Sequence, residues 1–212
     1  VVPGAVVGGE MGAALAMAQV LGVNAPISTK LLPEIEAVMV RKLNEQMGAM
    51  QARLPNAFGR LPKAGAEIKR VPPAVEQGAP MGYYNGPSLD GSRPGIYYVN
   101  LSDMTQVLKP QIEGISYHEG APGHHFQIAY AQELGEMPRF RRFGGYGAYA
   151  EGWGLYAEGL GKEMGFYQDP YSDFGRLSTE LWRAVRLVTD TGLHAKRWSR
   201  EQAIDYFRRN SL

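Results

Sequence analysis

SYHEGAPGHHFQ, residues Ser116–Gln127, is the stretch on which the reading of this chain turns. It holds His118, His124 and His125, three of the chain's four histidines, and Glu119 follows the first of them directly. A neutral imidazole is a good zinc ligand, and a carboxylate beside the metal can take a proton from water acidified there. In the pattern H-E-x-x-H, two histidines four residues apart share one helix face and the glutamate serves as base. Here Pro122 occupies the fourth position, so the segment opens on that pattern and then departs from it.

On a straight helix a residue six positions along sits about 120° off the starting face, and one seven along returns to within about 20° of it. His124 would then point away from His118, while His125 would share its face two turns on. Pro122 changes this, because it cannot donate to the His118 carbonyl and its ring clashes there, and Gly123 adds backbone freedom. A bulge at Pro122–Gly123 that absorbs two residues carries His124 to the place of the second ligand. The residues favour His124, with His125 as the alternative. Packing histidines beside a helix break are the purely structural reading.

Downstream, Tyr149–Leu160 (YAEGWGLYAEGL) reads as a second helix with Glu151 and Glu158 on one face. Glu151 lies 27 residues after His124. Zinc sites with two histidines from one helix commonly draw a third, carboxylate ligand from another and keep a position open for water. That favours Glu151 as third ligand and gives Glu158 no part in the ligand set. Further on, Leu181, Val185 and Val188 keep helical spacing, Thr189–Gly192 looks like a helix end, and Ser199 with Gln202 forms a capping box for a last helix. Arg183 and Arg186 are candidates for gripping a substrate carboxylate, and His194 for donating to an oxyanion. A salt bridge or a satisfied histidine is the structural alternative for each.

Upstream, Met81–Leu101 carries two tyrosine-rich runs around Asp90-Gly91, which read as a hairpin with its strand at Ile96–Asn100. A lone strand beside a metal helix can pair with an extended peptide by β-addition, with Tyr98 and Asn100 as candidate substrate-binding residues, and a structural hairpin that covers the core is the alternative. A helix is expected over Ser102–Ile115, running into the His-Glu segment and resuming at Phe126–Leu134. Leu54–Pro80 is proline-rich and reads as extended chain and turns. Before it, Ile35, Val38, Met39, Leu43 and Met47 recur at helical spacing over Glu34–Arg53, with Ser28 or Thr29 as cap. Val1–Val23 is rich in Ala, Gly and Met. It lacks the basic start of a signal peptide, is interrupted by Glu10, and suits a core helix near Met11–Leu21 better than a membrane span.

Composition narrows the chemistry. The chain has 212 residues, 44% hydrophobic and 20% charged, which suits one globular domain with a real core. A formal charge of +1 gives no argument for nucleic acid or an anionic membrane as partner. The absence of cysteine excludes disulfides, Cys-ligated zinc and thiol catalysis. A start at Val1 instead of Met suggests a processed or excerpted piece.

The motifs HEGAPGHHFQ and EGWGLYAE, preceded by DGSRPGIYYVN and followed by RAVRLVTDTGLHAK, resemble the bacterial domain-of-unknown-function 885 family, in the right order, from about Thr29 to Leu212. Residues 1–28 stay unassigned. The resemblance implies a mostly α, gluzincin-like metallopeptidase domain with one small β-hairpin or edge strand near the active site. It also implies a distant similarity to the carboxypeptidase Taq and thimet oligopeptidase groups. It implies Zn2+ held by His118, His124 and Glu151, Glu119 as general base, and Ile96–Asn100 along the cleft. The family's members are longer, so the chain is expected to be a C-terminal-half fragment. The function expected is zinc-dependent hydrolysis of amide bonds in short peptides. The rival expectations are a non-catalytic peptide- or metal-binding module and a metal-dependent hydrolase of a non-peptide amide or ester.

Overall fold

Met39, Leu43, Met47 and Met50 recur every three or four residues, and all four are buried along one side of helix α1 (Leu32–Arg53). The computed structural model describes residues 32–102 and 109–211. The expected helix near Met11–Leu21, the Ser28 or Thr29 cap and the start of the helix expected from Ser102 lie outside them. After α1, Pro55 stops the α-helix in a short 3-10 turn (Leu54–Asn56). The next stretch is not only extended chain and turns. It contains strand β1 (Ala66–Arg70) and a four-residue helix α2 (Pro73–Glu76).

β1 is short and has one buried apolar residue, Ile68, between two charged ones. Partners outside the strand hold it. Its outer edge is met by Asn44 of α1, whose side chain accepts from the Ile68 N–H at 2.8 Å and donates to the Ile68 carbonyl at 2.9 Å. The expected hairpin is present as β2 (Gly82–Asn85) and β3 (Gly95–Val99), antiparallel, with Tyr84 opposite Tyr97. β3 also pairs with β1 in parallel, so the sheet order is β1-β3-β2. The strand of the motif is therefore central. Both of its edges are used, and a peptide cannot add to it.

The His-Glu motif spans two helices, α3 (Lys109–Glu119) and α4 (His124–Gln132), where one bulged helix was expected. Between them the chain turns through a cis Ala121–Pro122 peptide. Gly123 is demanded by the turn, since a Cβ there would collide with the carbonyl oxygens of Tyr117 and His118. A short helix α5 (Arg139–Phe143) leads to α6 (Gly147–Glu163), which crosses α3 and α4. The long helix α7 (Pro170–Lys196) lies along α3, and α8 (Arg200–Asn210) folds back on α7.

The helix end expected at Thr189–Gly192 is absent, because those residues are used otherwise. Thr189 and Thr191 return their hydroxyls to the carbonyls of Val185 and Leu187, at 3.1 and 2.9 Å. The Trp198 ring packs where a Gly192 side chain would be. The helix ends instead at Arg197, in the left-handed region at φ 56°. The Ser199–Gln202 capping box forms as expected. The fold is mostly helical around one small sheet. Its core runs from Met47 and Met50 through Tyr97 and Tyr117 to Phe126. Among the described residues no helix is long and apolar enough to cross a membrane.

Candidate metal centre

His118 is the buried last-turn residue of α3, and His124 opens α4 across the proline turn. Their rings stand edge to face, with centroids 4.7 Å apart. Glu151, in the first turns of α6, faces both: its carboxylate lies 3.3 Å from His118 Nε2 and 3.6 Å from His124 Nε2. The three ligating atoms all lie within 4.8 Å of one another. The two histidines are buried, whereas the Glu151 side chain is 68% exposed, so the cluster is closed on the protein side and open beyond Glu151. Gly154 makes this approach feasible, since a Cβ there would run into the His118 ring.

The far side of His118 is fixed. Its Nδ1 lies 2.8 Å from Glu158, which is almost fully buried, and Arg183 of α7 lies 2.8 Å from the same carboxylate oxygen. Arg183 also comes within 3.4 Å of Nδ1. The shorter contact, to an acceptor-only carboxylate, puts a proton on Nδ1, which donates to Glu158 and leaves Nε2 toward Glu151. Burial pushes the His118 pKa down, but the Glu158 hydrogen bond and charge outweigh it and the net shift is upward. Burial pushes the Glu119 carboxyl up to about 7, with Glu151 and Glu158 adding to the rise and His118 and Arg183 opposing it. Among the described residues nothing hydrogen-bonds that carboxylate. Burial and neighbouring His118 hold His124 below the ordinary imidazole range.

His125 goes elsewhere. Burial pushes its pKa down to about 4, so it is neutral. Its Nε2 lies 3.1 Å from the Ala64 carbonyl and its Nδ1 2.8 Å from the Tyr84 hydroxyl. Nε2–H must donate to the carbonyl, and Nδ1 accepts from Tyr84, so neither nitrogen is left for a metal.

Of the sequence candidates, His118, His124, Glu151, Glu119 and Arg183 come together here. Tyr98, Asn100, Arg186 and His194 do not. Tyr98 stacks on Tyr83, 5.1 Å between centroids, on the sheet face away from Tyr97. Asn100 holds the preceding loop by donating to the carbonyls of Glu76 and Ala79 at 3.0 and 2.9 Å. Arg186 is exposed over the Trp182 ring, and exposed His194 has Asp190 at 3.9 Å as its acidic neighbour. Arg183 is spent on Glu158 and so holds the site together. Three residues were missed. Glu158 had been given no part, although its seven-residue spacing from Glu151 signals a shared face. Trp153, two residues after Glu151, donates to the Pro122 and Gly123 carbonyls at 2.9 and 3.2 Å and pins the turn. Tyr97, on the inward register of β3, is buried close enough to Glu119 to feel its charge.

Comparison with known proteins agrees with the motifs. The profile of a family described as "Bacterial protein of unknown function (DUF885)" matches residues 9–212. This chain belongs to that family. The match begins inside the segment that the sequence had left unassigned. No curated protein matches the chain. A similar solved structure is the crystal structure of "the putative lipoprotein from Colwellia psychrerythraea", with 45% identity and a TM-score of 0.79 over 84% of this chain. The chain spans 31% of that protein's length.

Proposed function

We propose that this family member carries a mononuclear zinc site that hydrolyses amide bonds in short peptides, on a gluzincin-like helical scaffold. One observation carries the reading: two imidazole Nε2 atoms and a carboxylate from a crossing helix converge within 4.8 Å, with one imidazole backed by a buried carboxylate. The donor set fits zinc. It offers two neutral nitrogens and one oxygen, leaves a side open, and has the carboxylate–histidine support that such ligands ordinarily need.

A zinc ion in this site supplies a Lewis acid that acidifies water toward a pKa of about 7 and polarises a carbonyl. Glu119 takes the proton released by the attacking water and hands it to the departing amine nitrogen as the C–N bond breaks. Its raised pKa suits a group that must both accept and return a proton near neutrality, and a cation in the site opposes the rise. Arg183 pairs with Glu158, and Glu158 accepts from Nδ1–H and so keeps that proton on His118.

The test is zinc content of the purified protein, with peptide hydrolysis measured before and after chelation in a polypeptide of the family's full length. Stoichiometric zinc, and hydrolysis lost on chelation and restored by zinc, support the reading. Failure to take up zinc ends it. Zinc without turnover leaves a binding module.

A further inference from the structure

Resting on the metal reading above, we infer that Gln127 is the positioning residue for His124, the counterpart of Glu158 at His118. His124 presents Nε2 to Glu151, so as a neutral ligand it must carry its proton on Nδ1. That Nδ1 is buried and has no hydrogen-bond partner. Gln127 stands three residues on in α4, on the adjoining side of the helix, and its Oε1 is also buried and unpartnered. One atom needs an acceptor and the other needs a donor.

The amide's other end favours one orientation. Gln127 Nε2 reaches the Tyr149 carbonyl at 3.5 Å. Turned over, the amide would set Oε1 against that carbonyl, acceptor against acceptor. With Nε2 toward Tyr149, Oε1 is free for His124. Tyr149 lies two residues before Glu151 on α6, so one side chain ties the helix bearing the second histidine to the helix bearing the carboxylate. A buried donor and acceptor left apart each cost free energy. A hydrogen bond from His124 Nδ1–H to Gln127 Oε1 would satisfy both. The site then has two oriented imidazoles, one held by a carboxylate and one by an amide.

The experiment is zinc affinity by competition with a chromophoric chelator, on the full chain, for wild type, Gln127→Met and Gln127→Glu. Gln127→Met keeps the shape and removes the acceptor, and a 10- to 100-fold weaker zinc affinity is expected. Gln127→Glu keeps an acceptor and should stay within about threefold of wild type. A structural role alone would lower the unfolding temperature of the zinc-free protein in both variants without separating their affinities. A third measurement does not depend on the variants folding: in zinc-loaded wild type, the His124 Nδ1–H should give a slowly exchanging imidazole proton resonance. Equal affinity for Gln127→Met and wild type, or absence of that resonance, overturns the assignment of Gln127 and leaves the zinc site standing. A wild type that binds no zinc overturns both.

Discussion

His124 and His125 are consecutive residues in the same buried turn, yet they belong to different regions of the molecule. One faces the helix crossing of α3, α4 and α6, where its Nε2 meets Glu151 and its Nδ1 is unspent. The other faces the sheet, where Tyr84 and Ala64 use both of its nitrogens. Burial is similar and the residue type identical, so neither property makes a ligand. What separates them is hydrogen-bonding capacity left over after folding. The sheet-side histidine is a finished structural joint. The crossing-side histidine keeps an unpartnered Nδ1 and turns its Nε2 toward Glu151.

The widest separation is expected from the alanine variants. His124→Ala should abolish measurable zinc binding, because it removes one of three ligands. His125→Ala should leave zinc affinity within a few-fold of wild type. It should instead lower stability by about 1–3 kcal/mol, since the Tyr84 hydroxyl and Ala64 carbonyl lose their partner. Competition titration and denaturant unfolding read the two effects separately. If the losses are exchanged, the two nests have been assigned the wrong way round.

The crossing also contains a carboxylate that touches no ligand atom by hydrogen bond, and it sharpens the comparison on the chemical side. Glu119→Gln keeps the size of the side chain and removes its basicity. Turnover of a short peptide by the full-length family polypeptide should fall by about 10²–10⁴-fold, with zinc content unchanged. Hydrolysis within about threefold of wild type would take Glu119 out of the mechanism.

The sheet-side nest should show itself in acid. His125 has a folded-state pKa of about 4, below the ordinary imidazole value of about 6.5, so the folded state resists its protonation. Its contribution to stability is complete above about pH 6.5 and is lost as pH falls toward 4. Complete loss would amount to roughly 3 kcal/mol. Glu133, the nearby charge, and the Ala64 carbonyl work against burial and limit the effect. His125→Gln keeps a donor and an acceptor but cannot be charged. In the metal-free protein its stability curve should be flatter than wild type between pH 6.5 and 4. Parallel curves would place the acid sensitivity in another group.

How far the sequence reached depends on how local each feature is. Periodicity found α1 and the capping box of α8, because a repeating face and a three-residue reciprocal bond lie within a few residues. A break at Pro122 was legible for the same reason, since its clash with the preceding turn is a local fact, although the chain makes two helices there and not one bulged helix. β1 was not legible, because AEIKR buries one apolar residue, Ile68, and is a strand only where Asn44 and β3 meet its edges. Tyr98 lies in β3 and Asn100 just past its end, and the motif alone does not tell that the strand is central or which face points inward. Arg183 and Arg186 lie three residues apart on one helix. Only the packing of α7 against α3 distinguishes the arginine on Glu158 from the one over Trp182.

Glu158 is where that lesson has the smallest measurable consequence. Sequence spacing presented two glutamates on one face and gave the second no role, which predicts that replacing it leaves zinc binding nearly unchanged. In the fold it is almost fully buried, 2.8 Å from His118 Nδ1 and 2.8 Å from Arg183. Removing its charge loosens the ring that carries one ligand atom, while the atom itself stays. Glu158→Gln preserves volume and can still accept from Nδ1–H, but its amide also brings N–H donors up to Arg183, which has nothing to accept them. Zinc affinity should fall about 10- to 100-fold, less than for loss of His124. Arg183→Met, which leaves the Glu158 carboxylate buried without its cation, should weaken zinc binding in the same direction. The paired variant should fall short of the sum of the two, because both act through one imidazole. Additive losses would mean that Arg183 reaches the site by a route other than Glu158.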